Sequence, residues 1–123
     1  MSVVFDHIAL LPTTESGRDA YNVVRGMLNQ GRTWVEVSAA YLIAKVGPPS
    51  YEDETKMVRS YIAAAPERVV WGSDWPHSTE RVNKPDDAQL LDLLAASAPD
   101  TVTQHCILVD NPATLYGFGT AAT

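Results

Sequence analysis

Three runs rich in β-branched and aromatic residues, each followed by a loop and a segment of helical period, constrain this chain more than any other feature. Val3 to Leu10, Trp34 to Ser38 and Arg68 to Asp74 read as strands, each bounded by proline, glycine or small polar residues. After the first, Ser16 with Asp19 can cap a helix whose Ala20, Val24, Met27 and Leu28 fall on one face, and Gly31 ends it. After the second, Gly47-Pro48-Pro49 forms a rigid loop. Ser50 with Asp53 then opens a helix carrying Val58, Tyr61, Ile62 and Ala65, and Pro66 stops it. After the third, a loop from Trp75 to Lys84 leads to a leucine-rich helix with Leu90, Leu91 and Leu94. The order β-α-β-α-β-α implies right-handed crossovers and a parallel sheet.

Beyond this repeat, Pro99 and Asp100 start a further short helix to about Leu108, and Asn111-Pro112 reads as a cap followed by proline at the first helical position. The tail from Gly119 to Thr123 is expected to fray. Three parallel strands are few for a sheet that wants cover on both faces, and their edges would be unpaired. With the first strand starting close to Met1, the pattern fits a piece of a larger α/β fold.

The 123 residues suffice for one domain, and no flexible linker divides them. Nine Lys plus Arg against 15 Asp plus Glu give a formal charge of −6, with no basic run, so binding to nucleic acid or to anionic lipid is not expected. The single cysteine, Cys106, cannot form an internal disulfide. The opening apolar stretch is broken by Asp6 and His7 and is far shorter than the ~20 residues of a membrane span, so it reads neither as a leader nor as an anchor. The expected compartment is the cytoplasm.

His7 and Asp74 both fall at the carboxyl ends of their strands, where parallel α/β folds bind ligands. Two β/α units separate them, so they can converge on one mouth. An imidazole there can bind a divalent metal or polarise a carbonyl, and a carboxylate can take a proton from an attacking water. Plainer readings stand beside these. Asp74, before Trp75-Pro76, can simply close a turn, His7 can be a satisfied core histidine, and His77 can cap the loop or line the same mouth. His105 reads as a surface residue, and Cys106 as packing. Trp34, Trp71 and Tyr41 suit core or pocket lining. Glu36 would be a costly interior charge unless a cation meets it. No phosphate loop, dinucleotide fingerprint, paired CxxC or HExxH occurs.

Taken together, Val4-Phe5-Asp6-His7, Trp34-Val35-Glu36-Val37-Ser38-Ala39, Val69-Val70-Trp71-Gly72-Ser73-Asp74-Trp75-Pro76-His77 and the closing Asn111-Pro112-Ala113-Thr114-Leu115-Tyr116-Gly117-Phe118 resemble the amidohydrolase-related TIM-barrel hydrolases, in the group of the 2-pyrone-4,6-dicarboxylate lactonases. The resemblance runs over residues 1–118. It implies an α/β fold that is the C-terminal part of a (β/α)8 barrel, three β/α units plus short C-terminal helices, with His7 after the sixth strand and Asp74 after the eighth. It further implies Asp74 as the general base that activates water, and His7 as the group that binds the substrate carbonyl. In metal-using relatives His7 and Asp74 would instead hold a divalent, zinc-like ion. Ser38, Tyr41, Trp75 and His77 are substrate-pocket residues by position.

The first-strand His-x-His of the family has no counterpart, since the histidines here are His7, His77 and His105, and after the seventh strand Lys45 is the cation on offer for a carboxylated lactone. Two readings follow. One is a partial hydrolase that opens a lactone or similar ring by water attack and is inactive alone. The other is a non-catalytic half-barrel module that pairs with itself or with a missing N-terminal half.

Overall fold

The computed structural model describes residues 1–119, so the expected tail at 120–123 lies outside the described residues. Three parallel strands, β1 (Val3–Phe5), β2 (Thr33–Val37) and β3 (Val69–Trp71), pair in chain order with β2 in the middle. Val4 lies opposite Trp34, and Glu36 opposite Val70. The helices α1 (Arg18–Asn29), α2 (Glu52–Ala64) and α3 (Asp87–Ser97) follow the three strands in turn, which is the β-α alternation expected. Among the described residues no helix is long and apolar enough to cross a membrane.

The strand period of two sends Val35, Val37 and Val69 into a core shared with Val24 and Leu28 of α1, Val58, Tyr61 and Ile62 of α2, and Leu90, Leu93 and Leu94 of α3. Each fully buried aliphatic side chain here contributes roughly 1.5–3 kcal/mol relative to exposure. The other face carries Trp34 and Val70, also buried, with the Arg68 guanidinium 5.1 Å above the Trp34 ring. Gly31 closes α1 in the left-handed region, at φ 83°, as its position after the last apolar residue implies.

Several boundaries differ from the expectation. The first strand ends at Phe5, because His7, Ile8, Ala9 and Leu10 all take positive φ and form a left-handed turn. Such backbone costs roughly 1–2 kcal/mol per residue. It is offset by complete burial of Ile8, by the Ala9 N–H to Asp6 carbonyl bond and by the His7 N–H donating to Ser38 Oγ. Ser16 does not cap α1. It bonds Thr14 instead, in a short turn that precedes the helix, and Ala20 faces solvent. In α3 the buried leucine is Leu93, while Leu91 points outward.

Asp53, at the start of α2, accepts from the Lys45 and Val46 amides and from the Thr13 hydroxyl. Partial burial pushes its carboxyl up, but these three donors outweigh it and hold the group below the usual carboxylate range.

At the C-terminus, α4 (Thr101–His105) runs through a wide turn at Cys106–Asp110 into α5 (Asn111–Tyr116). Asn111 is not the cap its neighbour Pro112 suggests. It has helical backbone and is buried, and its Nδ2 donates to the carbonyls of Pro66, 2.8 Å, and Val69, 2.6 Å. The wide turn just before Pro112 supplies the room that a proline ring needs inside a continuing helix. Asn111→Ala should therefore destabilise the chain by about 2–3 kcal/mol in urea denaturation, since two carbonyls lose their donor.

Glu54 is fully buried on α2, and neither carboxyl oxygen has a hydrogen-bond partner. Burial, helped by the adjacent Asp53, raises it from about 4.5 to about 7. The folded chain thus holds this proton more tightly than the unfolded chain. The stability it contributes is complete below about pH 4.5 and is lost as the pH climbs through about 7, a fall on the order of 3 kcal/mol. Glu54→Gln should remove that fall, which denaturation of both forms at pH 5 and pH 8.5 will show.

Candidate active site

The carboxyl ends of the three strands meet at one mouth. β1 delivers His7 on the first residue of its left-handed turn, and β2 delivers Ser38 directly and Tyr41 through the turn at Ala40–Leu42, which Ala39 enters at φ 48°. β3 continues its ladder one residue further, with the Gly72 N–H donating to the Val37 carbonyl, and Asp74 follows at φ 60°. A Cβ at Gly72 would stand 3.2 Å from the Glu36 carboxyl carbon, tighter than ordinary contact.

His7 Nε2 lies 3.8 Å from Asp74 Oδ1, so the two residues separated by two β/α units do share one rim. The Ser38 hydroxyl donates to Glu36 Oε1 at 2.6 Å, and His7 Nδ1 is 2.9 Å from the same oxygen. With its single proton committed to Glu36, Ser38 Oγ can only accept, so the proton between them belongs to His7 Nδ1. Nε2 is thereby turned toward the mouth. This also answers what meets Glu36: a hydroxyl, with no ion pair to it among the described residues. Asp74 uses its other oxygen, Oδ2, to accept from the Tyr41 hydroxyl at 2.5 Å. Burial first, and then the Asp74 carboxylate, push the Tyr41 phenol far up, which keeps it a donor.

The remaining candidates are placed less centrally. His77 is buried behind Tyr41, with Nδ1 3.2 Å from the Tyr41 hydroxyl and Nε2 2.7 Å from Asp87 Oδ1. Trp75 stands 75% exposed, with its backbone N–H donating to Ser73 Oγ. Lys84 donates to the carbonyls of Pro76 and His77, bracing the loop. His105 is an exposed partner of Asp110, and Cys106 is half-buried with its thiol pushed up by burial and by Asp110 and Glu67. Asp87 is the participant that sequence reasoning missed. Its pairing with a histidine ten residues earlier follows no helix or strand period, and only its place in the first turn of α3 marked it.

A catalytic zinc site takes three protein ligands. His7 and Asp74 offer two donors, and among the described residues no group of three or more His, Cys, Asp or Glu is placed to hold an ion. These residues alone do not fit a metal centre.

The amidohydrolase family profile matches residues 1–118. The chain is 36% identical to the 4-sulfomuconolactone hydrolase of Rhizobium radiobacter over 94% of its own length and 39% of the relative's. It is 32% identical to the 2-pyrone-4,6-dicarboxylate hydrolase of Comamonas testosteroni, covering 94% of itself and 41% of that enzyme. A ligand-free crystal structure from Agrobacterium tumefaciens superposes with a TM-score of 0.81 at 31% identity, over 96% of this chain and 42% of that one. The fold is α/β with a three-stranded parallel sheet, and it superposes on part of that solved relative. The chain belongs to the amidohydrolase family, and it spans about two-fifths of the length of the relatives it matches.

If Ser38 sets the proton of His7, Ser38→Ala should redistribute it between the ring nitrogens. Nitrogen-15 NMR of the imidazole should show Nδ1 protonated in the parent chain and a mixture of tautomers in the variant.

Proposed function

We propose that this chain supplies the last three β/α units of a (β/α)8 lactone hydrolase, with Asp74 as general base and His7 as the group facing the carbonyl. One observation carries the reading: the 3.8 Å gap between His7 Nε2 and Asp74 Oδ1 at the carboxyl ends of parallel strands. A water about 2.8 Å from each atom fits across that gap as the apex of a triangle. Asp74 Oδ1 takes a proton from this water as its oxygen attacks the lactone carbonyl. For this step the His7 ring carries a proton on each nitrogen, Nδ1–H donating to Ser38 Oγ and Nε2–H donating to the carbonyl oxygen while negative charge builds there. When the ring C–O bond breaks, the proton on Asp74 passes to the departing oxygen, leaving a carboxylic acid and a hydroxyl.

The substrate class follows from the relatives, whose names denote sulfonated and dicarboxylated lactones. On this chain Lys45, in the loop after β2, is the cation that would meet such an anion. The family's first-strand histidines and the remaining strands come from outside this sequence, so the site is completed by an N-terminal barrel half.

A second reading, self-association, has its own support. β1 and β3 are each paired on one side only, and Val3 and Val4 of β1 are each 37% exposed. Sedimentation should then show a concentration-dependent oligomer, and a strictly monomeric folded chain would reject it.

The hydrolase reading is tested by mixing this chain with a separately expressed N-terminal half of the 4-sulfomuconolactone hydrolase relative and assaying lactone opening. Activity is expected only on mixing, and Asp74→Asn should lower it by roughly 10²–10⁴-fold. Activity that survives Asp74→Asn would remove Asp74 from the role of base.

A further inference from the structure

The loop between β3 and α3 carries a histidine that the mechanism above does not use. His77 is 3% exposed and stands edge-on to Tyr41, with ring centroids 5.4 Å apart and planes at 82°. Both its nitrogens are engaged, Nε2 by Asp87 Oδ1 and Nδ1 by the Tyr41 hydroxyl. The protons can be assigned by counting. A carboxylate only accepts, so Nε2–H donates to Asp87. Tyr41 has one proton and gives it to Asp74 Oδ2, so its oxygen accepts from His77 Nδ1–H.

We infer that Asp87, His77 and Tyr41 are positioning residues: His77, donating from both nitrogens and anchored by Asp87, aims the Tyr41 hydroxyl at Asp74 Oδ2 and so keeps Asp74 Oδ1 turned to His7. This assignment rests on the proposed role of Asp74 and deepens it. An aspartate on a loop can swing between χ1 rotamers, so a base on such a loop needs something to hold its carboxylate toward the water. Here the hold comes from behind. The turn is also stiff, with the His77 N–H donating to the Asp74 carbonyl at 2.8 Å and Lys84 bonded to the carbonyls of Pro76 and His77. The two residues are thus tied by the backbone, and both His77 ring nitrogens are engaged within the chain.

The experiment uses the full chain, labelled with carbon-13 and nitrogen-15, at pH 7. Three-bond couplings across the Asp74 χ1 torsion report whether its carboxylate is held, and imidazole nitrogen shifts report the protons of His77. The parent chain should show one Asp74 rotamer and two protonated nitrogens on His77. Tyr41→Phe, which removes only the hydroxyl, should average the Asp74 couplings. Asp87→Ala, which does not touch Asp74, should do the same and cost His77 a proton, while Asp87→Asn, which keeps an accepting oxygen, should restore the single rotamer. An Asp74 that stays locked in both Tyr41→Phe and Asp87→Ala, or a bare ring nitrogen on His77 in the parent chain, would overturn the assignment. If these signatures hold while the mixed lactone assay fails, the positioning network stands and the catalytic reading of Asp74 falls.

Discussion

The parallel register of β2 against both neighbours is the constraint on which everything else hangs. Strand β2 is the one strand bonded on both sides, and its side chains are buried on both faces at Trp34, Val35 and Val37. A slip of one residue would send this whole set to the wrong faces. It would also part Ser38 from His7, a contact spanning 31 positions in sequence, and Gly72 from the Glu36 carboxyl it lies against. The mouth is therefore a product of sheet pairing, and its loops inherit their positions from strands that cannot shift.

Within that frame the site is organised by counting donors and acceptors. Ser38 has one proton and spends it on Glu36, and Tyr41 has one and spends it on Asp74. Each hydroxyl is thus left able only to accept from the imidazole beside it. Two carboxylates that look out of place in the sequence, Glu36 inside a strand and Asp87 on a helix start, are what set these directions. A neutral isostere at Glu36 would leave the geometry possible and its polarity undefined.

Much of the fold was legible because it obeys simple periods. The alternation of strands and helices, the Gly31 cap and the inner face of α2 at Val58, Tyr61 and Ile62 all follow from spacing. The meeting of His7 with Asp74 followed from their shared place at strand ends. What stayed hidden depends on contacts without local period. Ile8-Ala9-Leu10 continue the apolar run of β1, so nothing in their chemistry announces that the backbone turns left-handed there. Asn111 precedes a proline and so imitates a cap, whereas its amide spans 42 and 45 positions to tie the last helix to β3 and the turn before it. Glu54 looks like a normal acid in a first helical turn, and only the packing around it shows that it points inward.

Asp53 lies outside the mouth, yet it holds two of the segments that shape it. One carboxylate takes a hydroxyl from the stretch following β1, at Thr13, and two amides from the stretch following β2, at Lys45 and Val46. These two segments are therefore tied to one another through α2 rather than placed independently, and an insertion near Lys45 would slacken the Thr13 side as well.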